Sequence, residues 1–202
     1  MLNPGGRDGP KRIVIAASAN WAGNHDVAYP ARRERVICIN ATDGGGNPSK
    51  KNPTPRKGNK NFAILGLSIE SWRRASAKDP ATGEEAMSTT PATAGLIRPK
   101  AKREKVWVSG TSYATPVAAG VAANVLEFMQ HHAEMSSGER EFLYSWFGMS
   151  RIFEAMSTER GDYDYITPWR MFDPKHDPQT VVKLIRRILN GEEPRKVLGA
   201  KN

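Results

Sequence analysis

The sequence predicts an α/β fold: part of a parallel sheet flanked by helices, with a helical C-terminal extension. Three observations carry this. Ile13-Val14-Ile15-Ala16-Ala17 and Val36-Ile37-Cys38-Ile39-Asn40-Ala41 are short, largely apolar runs, the pattern of parallel strands buried on both faces. Gly110-Thr111-Ser112 opens a long run of small and apolar residues through Met129, with one early proline, as a helix does. Beyond it, apolar residues recur at helical spacing as far as Leu189.

Taken in order, Met1 to Arg12 is rich in glycine, proline and charge and reads as a surface lead-in. The first strand runs directly into Ser18-Ala19-Asn20-Trp21-Ala22-Gly23-Asn24, a turn-forming stretch, and then into Tyr29-Pro30. After the second strand, Thr42 to Lys60 has the Gly, Pro and Lys content of a loop. Asn61 to Trp72 carries apolar residues on both sides of Gly66. Arg73 to Lys105 is polar and basic, and a structureless stretch of that length fits an insertion better than a core. Past the long helix, Ser136 with Glu139 forms a capping box. Phe142, Trp146, Met149, Phe153 and Met156 then make one apolar helix face. Asp177-Pro178 starts a last helix with Val181, Ile185, Ile188 and Leu189 inward and Gly191 as its stop.

Composition narrows the function classes. The chain has 202 residues, an ordinary charged fraction and a formal net charge of +9, which permits anionic partners without requiring one. Its single cysteine, Cys38, excludes an internal disulfide framework and lies in an apolar run, where a buried, inert thiol is expected. No segment has the length and apolarity of a membrane span, and Met1 to Pro10 lacks the apolar centre of a signal peptide, so an intracellular protein and no membrane partner are expected. His131-His132 falls at a helix C-terminus, where cations are favoured, and no further ligands cluster with it. Asp162-Tyr163-Asp164 offers too few carboxylates for calcium. Neither a metal nor a cofactor is expected.

The chemistry concentrates at Ser112. The first backbone N–H groups of a helix have no partners within it, and the macrodipole adds partial positive charge. A hydroxyl placed there can act as a nucleophile whose own N–H helps to hold the oxyanion it creates. Small residues behind it, Ala114, Ala118, Ala119, Gly120, Ala122 and Ala123, allow close approach of neighbouring backbone, as in a central buried helix. Gly110-Thr111-Ser112-Tyr113-Ala114-Thr115-Pro116-Val117-Ala118-Ala119-Gly120 closely resembles the nucleophile motif of the subtilisin-like serine peptidases. The resemblance extends to the strand ending in Ala-Ser-Ala-Asn, where it makes Asn20 the side-chain amide of the oxyanion hole, with Asn24 as the competing register. By the same carry-over, Tyr29-Pro30 closes one side of a substrate pocket, and Ala17, Ala19 and Ala28 line it. The helical tail resembles that of some fungal members.

The resemblance covers Ile13 to Gln130 and leaves out what activates the nucleophile. A subtilisin-type triad runs Asp, His, Ser. Neither the family's Asp-[Ser/Thr]-Gly nor its His-Gly-Thr motif is present. His25, His131, His132 and His176 all lack the required context, and His131 lies about 28 Å along the helix from Ser112. The expected organisation is therefore a partial peptidase domain over 1–132, carrying the 73–105 insertion, and a helical extension over 133–202. The expected function is peptide-bond hydrolysis through an acyl-enzyme in a truncated copy that is inactive alone. Its partners would be a polypeptide substrate and the missing N-terminal half or a larger multidomain chain. The alternative is a degenerate peptidase domain serving as a binding or regulatory module. Nucleic-acid binding through Lys50–Lys60 and Arg98–Lys105 rests on charge alone and is not expected.

Overall fold

A computed structural model describes residues 12–23, 25–74 and 103–199. The lead-in and the middle of the 73–105 insertion lie outside these residues. The chain divides into two compact units, Met1–Leu67 with Ser109–Asn202, and Ser68–Val108.

The first unit is built on a five-stranded, mainly parallel sheet. Strands β1 (Val14–Ala17), β2 (Val36–Thr42) and β3 (Phe62–Leu65) lie side by side in parallel, with Val14 opposite Val36 and Asn40 opposite Ala63. The alternation of strand side chains sorts β2 cleanly. Ile37, Ile39 and Ala41 enter the main core, while Val36 and Cys38 turn to the other face and meet Ala16, Val27 and Ala31. Helices cover the first face; in the second cluster only loop residues do. This corrects the expectation of strands buried on both faces, because β1 is an edge strand among the described residues and Val14 remains 44% exposed.

Helix α1 (Thr111–His132) crosses β1, β2 and β3 and buries a narrow stripe: Thr111, Ala114, Ala118, Ala122, Val125 and Met129. Ala119, Gly120 and Ala123 are exposed. Of the small residues expected to let neighbouring backbone approach a central buried helix, Ala114, Ala118 and Ala122 do so, while the others face outward. Helices α2 (Ser137–Leu143) and α3 (Trp146–Met156) replace the single apolar helix face expected from Phe142 to Met156. The break is local chemistry: Ser145 caps α3 by accepting from the Gly148 N–H at 3.0 Å. A β-carbon on Gly148 would lie 2.1 Å from the Phe142 carbonyl oxygen, so only glycine allows this close turn. The capping box forms as expected, with Glu139 N–H donating to Ser136 Oγ at 3.2 Å and Ser136 N–H donating to the Glu139 carboxylate at 2.9 Å.

The C-terminal segment, expected to be helical, also supplies two strands. β6 (Ser157–Arg160) pairs antiparallel with β7 (Tyr163–Ile166), and β7 adds in parallel to β3, with Phe62 opposite Asp164. Asp164 is a structural carboxylate. It is buried, ion-paired with Arg195, and accepts from the Asn61 N–H at 3.1 Å. Helix α4 (Pro178–Leu189) begins at the expected Asp177 cap and buries Val181, Val182, Ile185 and Ile188 in the same core as α1 and α3. A short helix, α5 (Pro194–Val197), follows it, so α4 is not the last.

The second unit is an antiparallel ribbon of β4 (Ile69–Arg74) and β5 (Arg103–Val108). Both ends of the expected loop insertion are therefore extended strand. Lys105 ion-pairs with Glu70 at 2.8 Å, and its ammonium sits 5.4 Å from the Trp72 ring centre.

Cys38 behaves as an apolar side chain. Burial pushes its thiol from an ordinary 9.0 up to about 11, against a smaller opposing pull from Arg56. At pH 8 the thiolate population falls about 100-fold for a rise of that size, and native-state alkylation by iodoacetamide should slow in proportion. Because folding holds the proton, the thiol's contribution to stability is complete below pH 9.0 and fades as pH rises through about 11. Alkylation at the rate of an unfolded control would contradict this placement.

Candidate active site

The site begins where β1 ends. Ser18 N–H extends the β1–β2 pairing by donating to the Ile39 carbonyl at 3.0 Å. The chain then turns sharply through Ala19 at φ 145°, a conformation that L-residues seldom adopt. It is held by bonds from Ala28 N–H to Ser18 O at 2.7 Å and from Ala22 N–H to Lys51 O at 2.9 Å. These anchors present Asn20 at the C-terminal ends of the parallel strands, the usual location of ligand sites in open α/β sheets.

The start of α1 comes to the same place through two glycines. Gly110 N–H donates to Gly66 O at 2.8 Å. A β-carbon on Gly66 would lie 2.7 Å from the Ala114 β-carbon and 2.9 Å from that of Ala41, so the bare backbone lets the helix sit down on the sheet. Gly110, at φ 151°, has no side chain to cap the helix. Asn20 takes that role from across the sheet, its Oδ1 accepting from the Thr111 N–H at 2.9 Å. A β-carbon on Gly110 would approach the Asn20 amide to 3.1 Å, so glycine also keeps the Asn20 side chain in place.

With Oδ1 committed to Thr111, the other end of the amide, Nδ2, has no acceptor among the described residues. Ser112 occupies the second position of α1, in the turn whose N–H groups lack helical partners. Its side chain is exposed, and no described histidine or carboxylate hydrogen-bonds to it. The described histidines are engaged elsewhere. His25 meets Trp21 edge-on at 6.0 Å, His131 lies 3.5 Å from Glu127, His132 packs on Phe128, and His176 Nδ1 is 3.1 Å from Met171 O. Asn24, the competing register, lies outside the described residues.

The three alanines are only partly united. The Ala28-to-Ser18 hydrogen bond brings Ala28 beside the stretch that holds Ala17 and Ala19. A cavity of about 410 Å³ there is walled by Ala28 with Trp21, His25, Val27, Tyr29 and Arg32, but not by Ala17 or Ala19. The Tyr29-Pro30 peptide bond is cis, and Tyr29 is 70% exposed. Trp21, 62% exposed, was not singled out in the sequence. An indole in a turn directly after a strand was the available signal.

No protein-family model matches the chain, and no curated protein matches it. Solved structures do. A mutant of the protease domain of PatA aligns over 90% of this chain and 50% of its own length, with a TM-score of 0.54 and 15% identity. The prenylagaramide maturation protease PagA aligns over 77% and 45% of the two chains, with a TM-score of 0.46 and 18% identity. The PatG macrocyclase in complex with peptide aligns over 89% and 43%, with a TM-score of 0.48 and 14% identity. At these identities the likeness is one of fold, carried by the PatA domain: α/β, a mainly parallel sheet flanked by helices, of subtilisin-like type. The chain spans about half the length of the structures it matches.

Proposed function

We propose that this chain is the nucleophile-bearing half of a subtilisin-like serine endopeptidase domain. The observation that supports this most is the 2.9 Å bond from Thr111 N–H to Asn20 Oδ1, which ties the amide to the start of α1. In this reading Asn20 Nδ2 and the Ser112 N–H are the two donors that serve the Ser112 hydroxyl's reaction. Ser112 Oγ attacks the scissile carbonyl carbon of a polypeptide, and the carbonyl oxygen takes the negative charge between the two donors. Collapse expels the amine, and water then hydrolyses the acyl-enzyme. The attacking hydroxyl must lose a proton, and the leaving amine must gain one. The base for that exchange, and the carboxylate orienting it, come from residues outside this chain. Ala17, Ala19 and Ala28 flank the substrate, with Tyr29 closing one side. No metal or cofactor enters the reaction. The same proposal includes an intracellular location and, on the helical tail alone, a place near the fungal members of the family.

Without the base, Ser112 remains a neutral alcohol, and the chain alone is inactive. That favours a second reading, a degenerate domain that binds rather than cleaves, because no described imidazole reaches the serine. A fluorophosphonate probe separates the two. We expect no labelling of the 202-residue chain, and labelling at Ser112 when the chain is joined to its own upstream sequence encoding the Asp and His motifs. Ser112→Ala should abolish that labelling. Stoichiometric labelling of the isolated chain would refute its inactivity, and an upstream sequence without those motifs would leave the binding module.

A further inference from the structure

A second cleft, of about 700 Å³, opens at the other end of the sheet, where β2 and β3 begin at Val36 and Phe62. Its volume lies within the range of small-molecule sites. We propose that it binds a small ligand joining a polyphosphate to a planar ring, the chemistry of a nucleoside polyphosphate.

The charge is the first ground. Three separate segments deliver cations to this cleft: Arg32, Arg33 and Arg35 from the turn before β2, Arg56 and Lys60 from the loop before β3, and Arg151 from α3. Only Glu34 and Glu154 oppose them on the lining, and Glu154 is already paired with Lys60 and lies 3.8 Å from Arg195. Arg32, Arg33 and Arg35 have no carboxylate within ion-pair distance among the described residues. Arg32, Arg33 and Arg35 are exposed, so their forks are open to a ligand, and guanidinium forks suit phosphate oxygens, which they bind in pairs.

Construction is the second ground. The arginine turn is fixed by Arg33 N–H donating to Pro30 O at 2.9 Å and by Arg35 at φ 63°, a left-handed conformation uncommon for a residue with a long side chain. The Arg56 backbone is clamped by the Asn61 side chain through two bonds of 3.0 Å. Arg151 Nε donates to Ile188 O at 3.1 Å.

The ring is argued from the remaining wall. Phe147 is 48% exposed on the cleft, with the Arg151 guanidinium 5.8 Å from its ring centre, and Trp146 lies beside it. The Arg151 guanidinium lies over the Phe147 ring and Phe142 meets it edge-on at 5.6 Å, so the guanidinium plane and the exposed half of the ring together form the platform for a flat heterocycle. Cys38 also lines the cleft, and its protonated thiol adds no negative charge there. An acidic polypeptide would use the arginines but leave the aromatic wall idle, so a small ring-bearing ligand fits better.

Calorimetry on the 202-residue chain at physiological salt tests this with ATP, inorganic tripolyphosphate, adenosine and poly-glutamate. Expected is saturable binding of ATP to one site, about tenfold tighter than tripolyphosphate, with adenosine weaker than either. Arg33→Glu with Arg35→Glu should weaken ATP binding by about tenfold or more with an unchanged melting temperature, and the milder pair Arg33→Gln, Arg35→Gln should move it the same way. Phe147→Ala should reduce ATP to the level of tripolyphosphate. Absence of saturable ATP binding, equal affinity in the folded arginine variants, or no effect of Phe147→Ala would overturn the proposal. Poly-glutamate binding tighter than ATP would also overturn it and assign the cleft to an acidic polypeptide. None of these readings depends on Ser112.

Discussion

Phe153→Ala should lower the stability of the whole first unit by about 3–5 kcal/mol, a large part of the 5–15 kcal/mol typical of a folded domain. Phe153 is fully buried and meets Phe62 of β3 edge-to-face, with ring centres 5.7 Å apart. Its truncation leaves a cavity where α3 packs against the sheet, and edge-to-face pairs contribute beyond the area they bury. The form of the transition matters as much as its midpoint. If residues 133–202 were a self-contained appendage, the variant would show an early melt of the tail while the sheet unfolded at its old temperature. The shared core and the β3–β7 pairing predict one transition for both, shifted by roughly 10 °C or more. Thermal unfolding followed by circular dichroism, together with hydrogen exchange at Ile39 and Val125, distinguishes the outcomes. A biphasic melt would make the tail a separate domain.

The second large effect is expected at Asn20. In the chain completed by an upstream half that supplies the base, Asn20→Ala should lower kcat by about 10²–10³, with KM little changed, a figure that itself comes from a subtilisin. The donor acts mainly on the oxyanion, so its loss raises the barrier more than it weakens substrate binding. Stability should fall by only about 1 kcal/mol, because the Thr111 N–H that loses its acceptor lies in the first helical turn and can turn to water. That split between rate and stability separates a catalytic amide from a tertiary helix cap. A kcat within threefold of the parent, with the same loss of stability, would leave Asn20 as a cap and nothing more. Steady-state hydrolysis of a chromogenic peptide, paired with urea unfolding of the same variant, measures both.

Local chemistry made much of this legible in advance. The strand at Val36, the helix start after Gly110, the Ser136–Glu139 box and the Asp177 cap each depend on residues within a few positions of one another, and each is where the sequence placed it. The stretch after β1 and the start of α1 were linked through a motif, and the structure joins them by one hydrogen bond between residues 91 positions apart. What could not be read was which face of α1 would be covered. Ala118 and Ala119 are adjacent and alike, yet one is buried and the other exposed, because burial depends on what packs opposite and not on the residue.

The same reason explains the other departures. Tyr163 to Ile166 was too short and polar to announce a strand, and it became one by pairing with β6 on one side and with β3 on the other. Arg32, Arg33, Arg35, Arg56 and Arg151 are spread along the chain and line one cleft through the return of the fold. By itself, then, the sequence determined the strand at Val36, the starts of α1, α2 and α4 and the chemical character of the serine at a helix start, since these are set by near neighbours. Tertiary structure alone decided sheet order, which face of α1 is covered and which charges meet, since these depend on contacts between distant segments that no local pattern encodes.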